Sequence, residues 1–144
     1  DDQAIDFGKE WTYKGMMCSN IPNMVHIFGY INASWTLRAD LISTWVCRLL
    51  NRMRSTGMMT ATPYISKELA TSMNSRLWID DFSPGYMKRV LDRFPKQGDR
   101  MPWINTQNYR KDRRMFRDDV IEDGVLILES AAGCLEAKPV SDVS

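Results

Sequence analysis

The sequence lacks the features expected of a membrane-spanning or disulfide-bonded protein. No apolar run approaches the roughly 20 residues that a membrane-spanning helix needs, and no signal-peptide pattern opens the chain. The three cysteines, Cys18, Cys47 and Cys134, are odd in number and far apart, so neither a disulfide framework nor a zinc site is expected. These absences predict a cytoplasmic protein without a transmembrane segment or a metal site.

Short catalytic and nucleotide-binding motifs are also missing. The chain contains no GxGxxG, P-loop, HExxH, CxxC or GxSxG pattern. His26 is the single histidine and has no Asp, Ser or Cys beside it, so a packed histidine is favoured over a catalytic one. With 144 residues, 44% hydrophobic and 26% charged, composition supports one globular α/β domain and no specific chemistry.

Charge is distributed unevenly along the chain, although the net charge is only +1. Residues 87–117 carry ten basic and three acidic side chains, whereas residues 118–144 carry one basic and seven acidic ones. This pattern is typical either of a phosphate-binding face with an acidic neighbour or of a solvated helix whose charges are partly matched, and we favour the second interpretation. No nucleic-acid-binding module surrounds the basic block, so no nucleic-acid partner is expected.

Hydrophobic periodicity predicts one long helix preceded by a strand. Residues 24–30 form an apolar run, typical of a strand buried on both faces as in a parallel sheet. A helix is then predicted from Trp35 to Ser55, with Asn32 or Ser34 as N-cap and Gly57 as C-cap. Its apolar stripe recurs at every fourth residue: Leu37, Leu41, Trp45, Leu49 and Met53.

Weaker signals predict the remaining elements. Short strands or a hairpin are expected within residues 1–18, an extended segment at 58–65 and a helical turn at 67–75. Ser83-Pro84 is a good start for a helix ending near Phe94, and residues 105–117 read as a weak helix or irregular arm. A last short strand is expected at 125–128. We expect residues 1–130 to form the structured unit and residues 131–144 a flexible tail.

The junction between the apolar run and the long helix is the candidate binding feature. A strand–turn–helix corner directs backbone N–H groups and the positive end of the helix dipole toward one point. Such a corner can hold an electron-rich group, but its geometry does not identify that group.

Several motifs in fixed order resemble one family, the flavin-containing and Baeyer–Villiger monooxygenases, in particular the bacterial branch that includes the ethionamide-activating enzyme. The resemblance extends from about Phe7 to Glu129. It rests on these segments: Tyr13-Lys14-Gly15-Met16-Met17, Ile21-Pro22-Asn23, Gly29-Tyr30-x-Asn32-Ala33-Ser34-Trp35-Thr36-Leu37-x-Ala39-Asp40-Leu41, Val46-Cys47-Arg48-Leu49-Leu50-Asn51, Phe82-Ser83-x-Gly85-Tyr86, Pro95-Lys96-Gln97-Gly98, Pro102-Trp103, Gln107-Asn108-Tyr109 and Asp123-Gly124.

The resemblance implies the C-terminal portion of a Rossmann-like FAD domain, with a few short strands, one long central helix and a shorter C-terminal helix. It further implies an FAD- and NADPH-dependent monooxygenase that inserts one oxygen atom from O₂ into a ketone, sulfide or amine through a flavin C4a-(hydro)peroxide. The partners would be a small organic substrate and the upstream FAD- and NADP-binding regions. The isolated chain is expected to be inactive, because the glycine-rich nucleotide motifs are absent from it.

The same resemblance implies a set of site residues. Gly29 would let the chain approach the cofactor, since it has no Cβ. Backbone N–H groups of Asn32, Ala33 and Ser34 would lie near the pyrimidine edge of the flavin. Further cofactor contacts would come from Tyr30 and Leu37, with Leu37 packed below the ring; the substrate-pocket rim would comprise Trp35 and Thr36. Plain packing at the helix start is an equal alternative for Trp35.

Two kinds of function therefore stay open. The chain is either part of a flavoprotein monooxygenase or a truncated, non-catalytic module that serves as an interaction or structural domain. The missing glycine-rich motifs favour the second for the isolated polypeptide. The preserved Asn32-Ala33-Ser34 corner favours the first for a longer parent protein.

Overall fold

A computed structural model describes residues 4–80 and 89–131 of the chain. These residues form a mixed α/β structure, as predicted, with three α-helices and two small antiparallel strand pairs. Short 3₁₀ turns lie at Phe7–Lys9 and Leu91–Arg93. The helices are α1 (Trp35–Thr56), α2 (Lys67–Ser72) and α3 (Tyr109–Asp118); the strands are β1 (Thr12–Tyr13), β2 (Met17–Cys18), β3 (Thr60–Pro63) and β4 (Leu126–Glu129).

Helix α1 is the central element, and its predicted bounds are confirmed to within one residue. Ser34 is the N-cap, and Gly57 ends the helix in the left-handed conformation with φ of 71°. Its 22 residues extend roughly 33 Å at 1.5 Å per residue. The stripe that faces the core and α3 is slightly rotated from the predicted one: Leu37 is exposed, whereas Arg38, Leu41, Ile42, Trp45, Leu49 and Met53 are buried.

The predicted N-terminal hairpin is confirmed as β1 paired with β2, with Thr12 opposite Cys18. Lys14 and Gly15 turn the chain with positive φ angles of 51° and 68°. Two successive positive φ angles match the twist of an antiparallel hairpin and favour glycine. Tyr13, Met16 and Met17 consequently enter the core.

The second strand pair joins distant parts of the chain, with Thr60 of β3 opposite Glu129 of β4. Pro63 ends β3, which agrees with its predicted exclusion from a central strand. The turn before β4 is built by Asp123, whose carboxylate accepts the N–H groups of Val125 and Leu126 at 3.1 and 2.9 Å. Ala61 of β3 and Leu126 of β4 belong to the same buried cluster as Leu49 and Met53 of α1.

The strand predicted over residues 24–30 is not found. Within the described residues the segment joins no strand pair; its backbone is held by the His26 N–H, which donates to the Met16 carbonyl at 2.8 Å. Its apolar residues are instead used for packing, since Val25 lies against the core and Tyr30 is buried. The named strands within residues 4–80 and 89–131 are antiparallel, so the expected parallel sheet is absent from this part of the chain.

Two predictions fall outside the described residues: the helix start at Ser83-Pro84 and the tail beyond Ala131. The weak helix predicted at residues 105–117 is confirmed as α3, which begins after Asn108, whose side chain accepts the Lys111 N–H at 3.1 Å. Of the helices within residues 4–80 and 89–131, none combines the length and hydropathy needed to cross a bilayer.

Candidate functional site

The candidate site is the corner where the segment of residues 24–30 leads into α1, defined as residues 31–37. All seven residues are exposed. Helix α1 has no acidic residue in its first turn, and the Ser34 side chain does not cap it. The Ser34 hydroxyl instead lies 2.9 Å from that of Thr36. The positive end of the helix dipole is therefore exposed and has no acidic residue in its own first turn.

Backbone donors at the corner are available to a ligand. Among the hydrogen bonds of the described residues, none is donated by the N–H groups of Asn32, Ala33 or Ser34. The Leu37 N–H is used locally and donates to the Ser34 carbonyl at 3.2 Å. Three successive N–H groups with no acceptor among residues 4–80 and 89–131, placed at a helix N-terminus, can bind an anionic or carbonyl-rich group.

Gly29 is required at its position by Trp35. A Cβ atom on Gly29 would lie 2.5 Å from Cγ of the Trp35 indole, well inside van der Waals contact. The same indole packs on Phe28 with ring centroids 4.8 Å apart. Trp35 thus has the packing role that the sequence left open, yet it stays 48% exposed. Its outer surface is available to a ligand.

An aromatic column continues behind Trp35 into the protein. Phe28 meets Trp78 edge-on at 4.4 Å, and Trp78 stacks on Phe94 at 5.1 Å with an interplanar angle of 24°. His26 flanks Trp78 at 6.1 Å. Burial, helped by the nearby Arg38 charge, lowers the pKa of His26 to about 4. The ring is therefore neutral at pH 7 and acts as a packed histidine, as predicted.

Within residues 4–80 and 89–131, no cluster suited to a metal ion occurs.

One helical turn below the corner lies a buried polar cluster, defined as Tyr30, Arg38, Asn105 and Asp112. Arg38 and Asp112 are both fully buried, with Nε of Arg38 3.4 Å from a carboxylate oxygen of Asp112. The Tyr30 hydroxyl donates to the same carboxylate at 2.8 Å. Arg38 also donates to the Asn105 side chain at 2.5 Å. The cluster ties α1, α3 and the loop before α3 together.

Neighbouring groups complete this cluster. Thr106 donates to the second carboxylate oxygen of Asp112, and Arg38 donates to the Lys14 carbonyl at 3.2 Å. A Cβ atom on Gly15 would lie 2.5 Å from the Arg38 guanidinium, so the hairpin turn needs glycine there for space as well as for its φ angle. Burial lowers the pKa of Arg38, an effect that the Asp112 charge opposes. Burial and Asp112 together raise the pKa of Tyr30.

Gln107 connects the corner to the loop before α3. Its amide nitrogen donates to the Gly29 carbonyl at 3.2 Å, and its amide oxygen accepts the Ile31 N–H at 3.1 Å. One side chain therefore fixes the backbone on both sides of Tyr30. Because Gln107 is 76 positions beyond Ile31, sequence spacing gave no signal for this contact, although Gln107 lies in one of the family-like motifs.

The structure brings most of the predicted site residues together. Residues 32–37 share the exposed corner. Tyr30 is different, because its side chain is buried in the polar cluster and only its backbone lies near the corner. Sequence reasoning missed Arg38 as a structural residue. Arg38 lies four positions before Ile42 and seven before Trp45, and this helical spacing could have placed it on the buried stripe.

Comparison with known proteins finds homologues along most of the chain. The FAD-containing monooxygenase EthA of Mycobacterium tuberculosis is 46% identical over 123 residues, which is 85% of this chain. EthA of Mycolicibacterium smegmatis is 43% identical over 121 residues. MymA of M. tuberculosis, provisionally named an FAD-containing monooxygenase, is 40% identical over 132 residues, or 92% of this chain.

The matching segments are only part of those relatives. The chain covers 24% of each EthA and 26% of MymA, so it spans about a quarter of the length of the curated relatives it matches. No protein-family model matches the chain. No solved structure matches it either.

Proposed function

This chain is homologous to the FAD-containing monooxygenases, and from that premise we propose that it is the C-terminal portion of such an enzyme, completing a Rossmann-like FAD domain. The parent would use FAD and NADPH to insert one oxygen atom of O₂ into a ketone, sulfide or amine. Support comes from the homology over 85–92% of the chain and from the exposed corner formed by residues 31–37.

The observation that carries the proposal is the row of N–H groups at residues 32–34, which precede α1 and donate no hydrogen bond within the described part of the chain. When bound, FAD would accept a hydride from NADPH and supply the reducing equivalents for oxygen activation. The corner residues fit its pyrimidine edge, because that edge presents carbonyl oxygens to N–H donors. These donors and the helix dipole would stabilise negative charge on the reduced ring.

Other residues of the chain would then have positioning roles. Gln107 holds the backbone at Gly29 and Ile31, which keeps the three donors aligned. The exposed indole of Trp35 and the hydroxyl of Thr36 would form part of the rim of a pocket for a small organic substrate. The Leu37 side chain, also exposed, is available for packing below the ring.

A chimera tests the proposal directly. In EthA of M. tuberculosis, the 123-residue segment that matches this chain is replaced by the corresponding residues of this chain. We expect the purified chimera to retain protein-bound FAD, measured from its visible absorbance and its protein-to-flavin ratio. A truncated EthA without the segment is the control and should lose the flavin.

Mixing the isolated chain with FAD distinguishes the two functions left open by the sequence. No glycine-rich motif for the phosphates occurs in the chain, so we expect no tight complex in equilibrium dialysis. A tight 1:1 complex would contradict the proposal that the chain is only part of the site. A folded chimera that holds no flavin would instead favour a non-catalytic interaction module.

A further inference from the structure

The outer face of α3 carries an excess of positive charge that the described part of the chain does not neutralise. Five of its ten residues are basic, and none of the five forms an ion pair within residues 4–80 and 89–131. The first-turn acid of the helix, Asp112, points inward and is fully buried against Arg38. The basic residues are Arg110, Lys111, Arg113, Arg114 and Arg117.

Three of these cations line a surface cavity of about 420 Å³. Arg110, Lys111 and Arg114 form its basic side, while Met101 and Met115 supply apolar surface. One carboxylate, that of Asp119, also lines the cavity and leaves it with an excess of two positive charges. Arg113 and Arg117 lie outside this lining set.

The cavity has a fixed wall on the side of Asp119. Arg48 of α1 donates to the carbonyls of Phe116 and Asp119, both at 2.6 Å, and so anchors the C-terminal end of α3. Met115 is buried at the base of the cavity, whereas Met101 is 48% exposed. The cations therefore project from a helix whose position is set by the core rather than from a free loop.

We propose that this cavity is a binding site for a phosphate monoester that carries an apolar or aromatic group. Like charges at i and i+4, as at Arg110 and Arg114, repel one another on a bare helix. A dianionic phosphate relieves that repulsion, and guanidinium groups bind phosphate oxygens in bidentate geometry. The two methionines offer adaptable, polarisable surface to the organic group. The site is separate from the corner and does not depend on the proposed monooxygenase function.

Phenyl phosphate is a suitable probe, because its two halves can be tested separately as inorganic phosphate and phenol. The full 144-residue chain is titrated with each compound at low ionic strength by isothermal calorimetry. We expect phenyl phosphate to bind most tightly, inorganic phosphate at least about fivefold more weakly, and phenol not at all. Equal binding of phenyl phosphate and inorganic phosphate, or no binding of phenyl phosphate, would overturn the proposal.

Helix α3 offers two matched double variants. Arg110→Gln with Arg114→Gln removes two cations of the cavity, whereas Arg113→Gln with Arg117→Gln removes two cations at the same i, i+4 spacing outside it. We expect the first pair to weaken phenyl phosphate binding at least about tenfold and the second less than about threefold, since it acts only through long-range charge.

An equal loss in both pairs would mean a solvated basic face without a defined site and would overturn the proposal. All four positions are exposed, so both double variants should keep the helical circular dichroism of the parent chain.

Discussion

Ser34 and Arg38 lie one helical turn apart on α1, yet their surroundings are opposite. The Arg38 side chain is fully buried. It pairs with Asp112 and donates a hydrogen bond to Asn105, and Tyr30 is buried beside it. Around Ser34, the backbone donors are exposed and have no partner among the described residues. The comparison indicates that the buried polar cluster fixes the start of the helix, while the corner above it is exposed, as the proposed flavin contact requires.

The largest expected effect comes from Asp112→Asn. This change keeps the side-chain volume but leaves the Arg38 charge buried without its partner. Breaking a buried pair in this way costs about 3–5 kcal/mol of the free energy of unfolding. Urea unfolding followed by tryptophan fluorescence measures the loss.

Asp118→Asn is the matched control, because Asp118 is on the same helix but exposed. It should change the unfolding free energy by less than about 0.5 kcal/mol. If the two variants were equally stable, the buried polar cluster would not be the anchor of α1. Replacing Arg38 and Asp112 together with Met and Leu should recover part of the lost stability.

The second largest effect is a pH dependence of the free energy of unfolding, which arises from His26 beside Trp78. Burial lowers the pKa of His26 to about 4 in the folded protein, against about 6.5 in the unfolded chain. The neutral ring is therefore favoured by folding. The contribution of His26 to the free energy of unfolding is complete above pH 6.5 and is lost as the pH falls toward 4. The loss is at most about 3 kcal/mol, because the ring is only partly enclosed.

Unfolding free energies of the wild-type chain and His26→Gln, measured between pH 7.5 and 4, isolate this contribution. We expect the difference between the two to shrink as the pH falls, because the glutamine has no proton to bind. A constant difference over that range would place His26 in a solvated environment, contrary to its position beside Trp78.

The smallest effect is expected from Glu122→Gln, which removes the partner of Arg52 near the C-terminal end of α1. Glu122 accepts a hydrogen bond from Arg52 at 2.9 Å, but both side chains are close to half exposed. Exposed ion pairs gain little because water and salt screen them. We expect the midpoint of urea unfolding to stay within experimental error of the wild type. A clear decrease would show that surface pairs also hold α1 in place.

Local sequence rules predicted the elements that depend on neighbouring residues. The bounds of α1, the Gly57 cap, the N-terminal hairpin and the edge position of Pro63 all follow from spacing, capping and backbone preferences. The corner was predicted from the apolar run and the helix start, and the family resemblance then assigned roles to its residues. Their clustering follows from their position at one helix start.

Long-range contacts could not be predicted in the same way. Residues 24–30 have the composition of a strand, but a strand must pair with a neighbour, and in the described chain this segment joins neither strand pair. Gln107 lies more than 70 residues from Ile31, and Asp112 lies more than 70 residues from Tyr30 and Arg38; no periodicity encodes such pairings. Gly29 stays a predicted cofactor contact, and the structure adds a packing reason for glycine there, because a Cβ atom would meet the Trp35 indole.

The central claim is that the buried polar cluster stabilises the start of α1 while the N–H donors of the corner bind flavin. Ser34→Pro in the EthA chimera tests it most directly. Ser34 has φ of −59°, which suits proline, so this change removes one N–H donor with little strain. Ser34→Ala is the control that keeps the donor. We predict that Ser34→Pro weakens FAD retention at least about fivefold during equilibrium dialysis, while Ser34→Ala does not and the melting temperatures of the two apoproteins agree within about 2 °C. Equal FAD retention by the two variants would contradict a role for the corner donors in binding flavin.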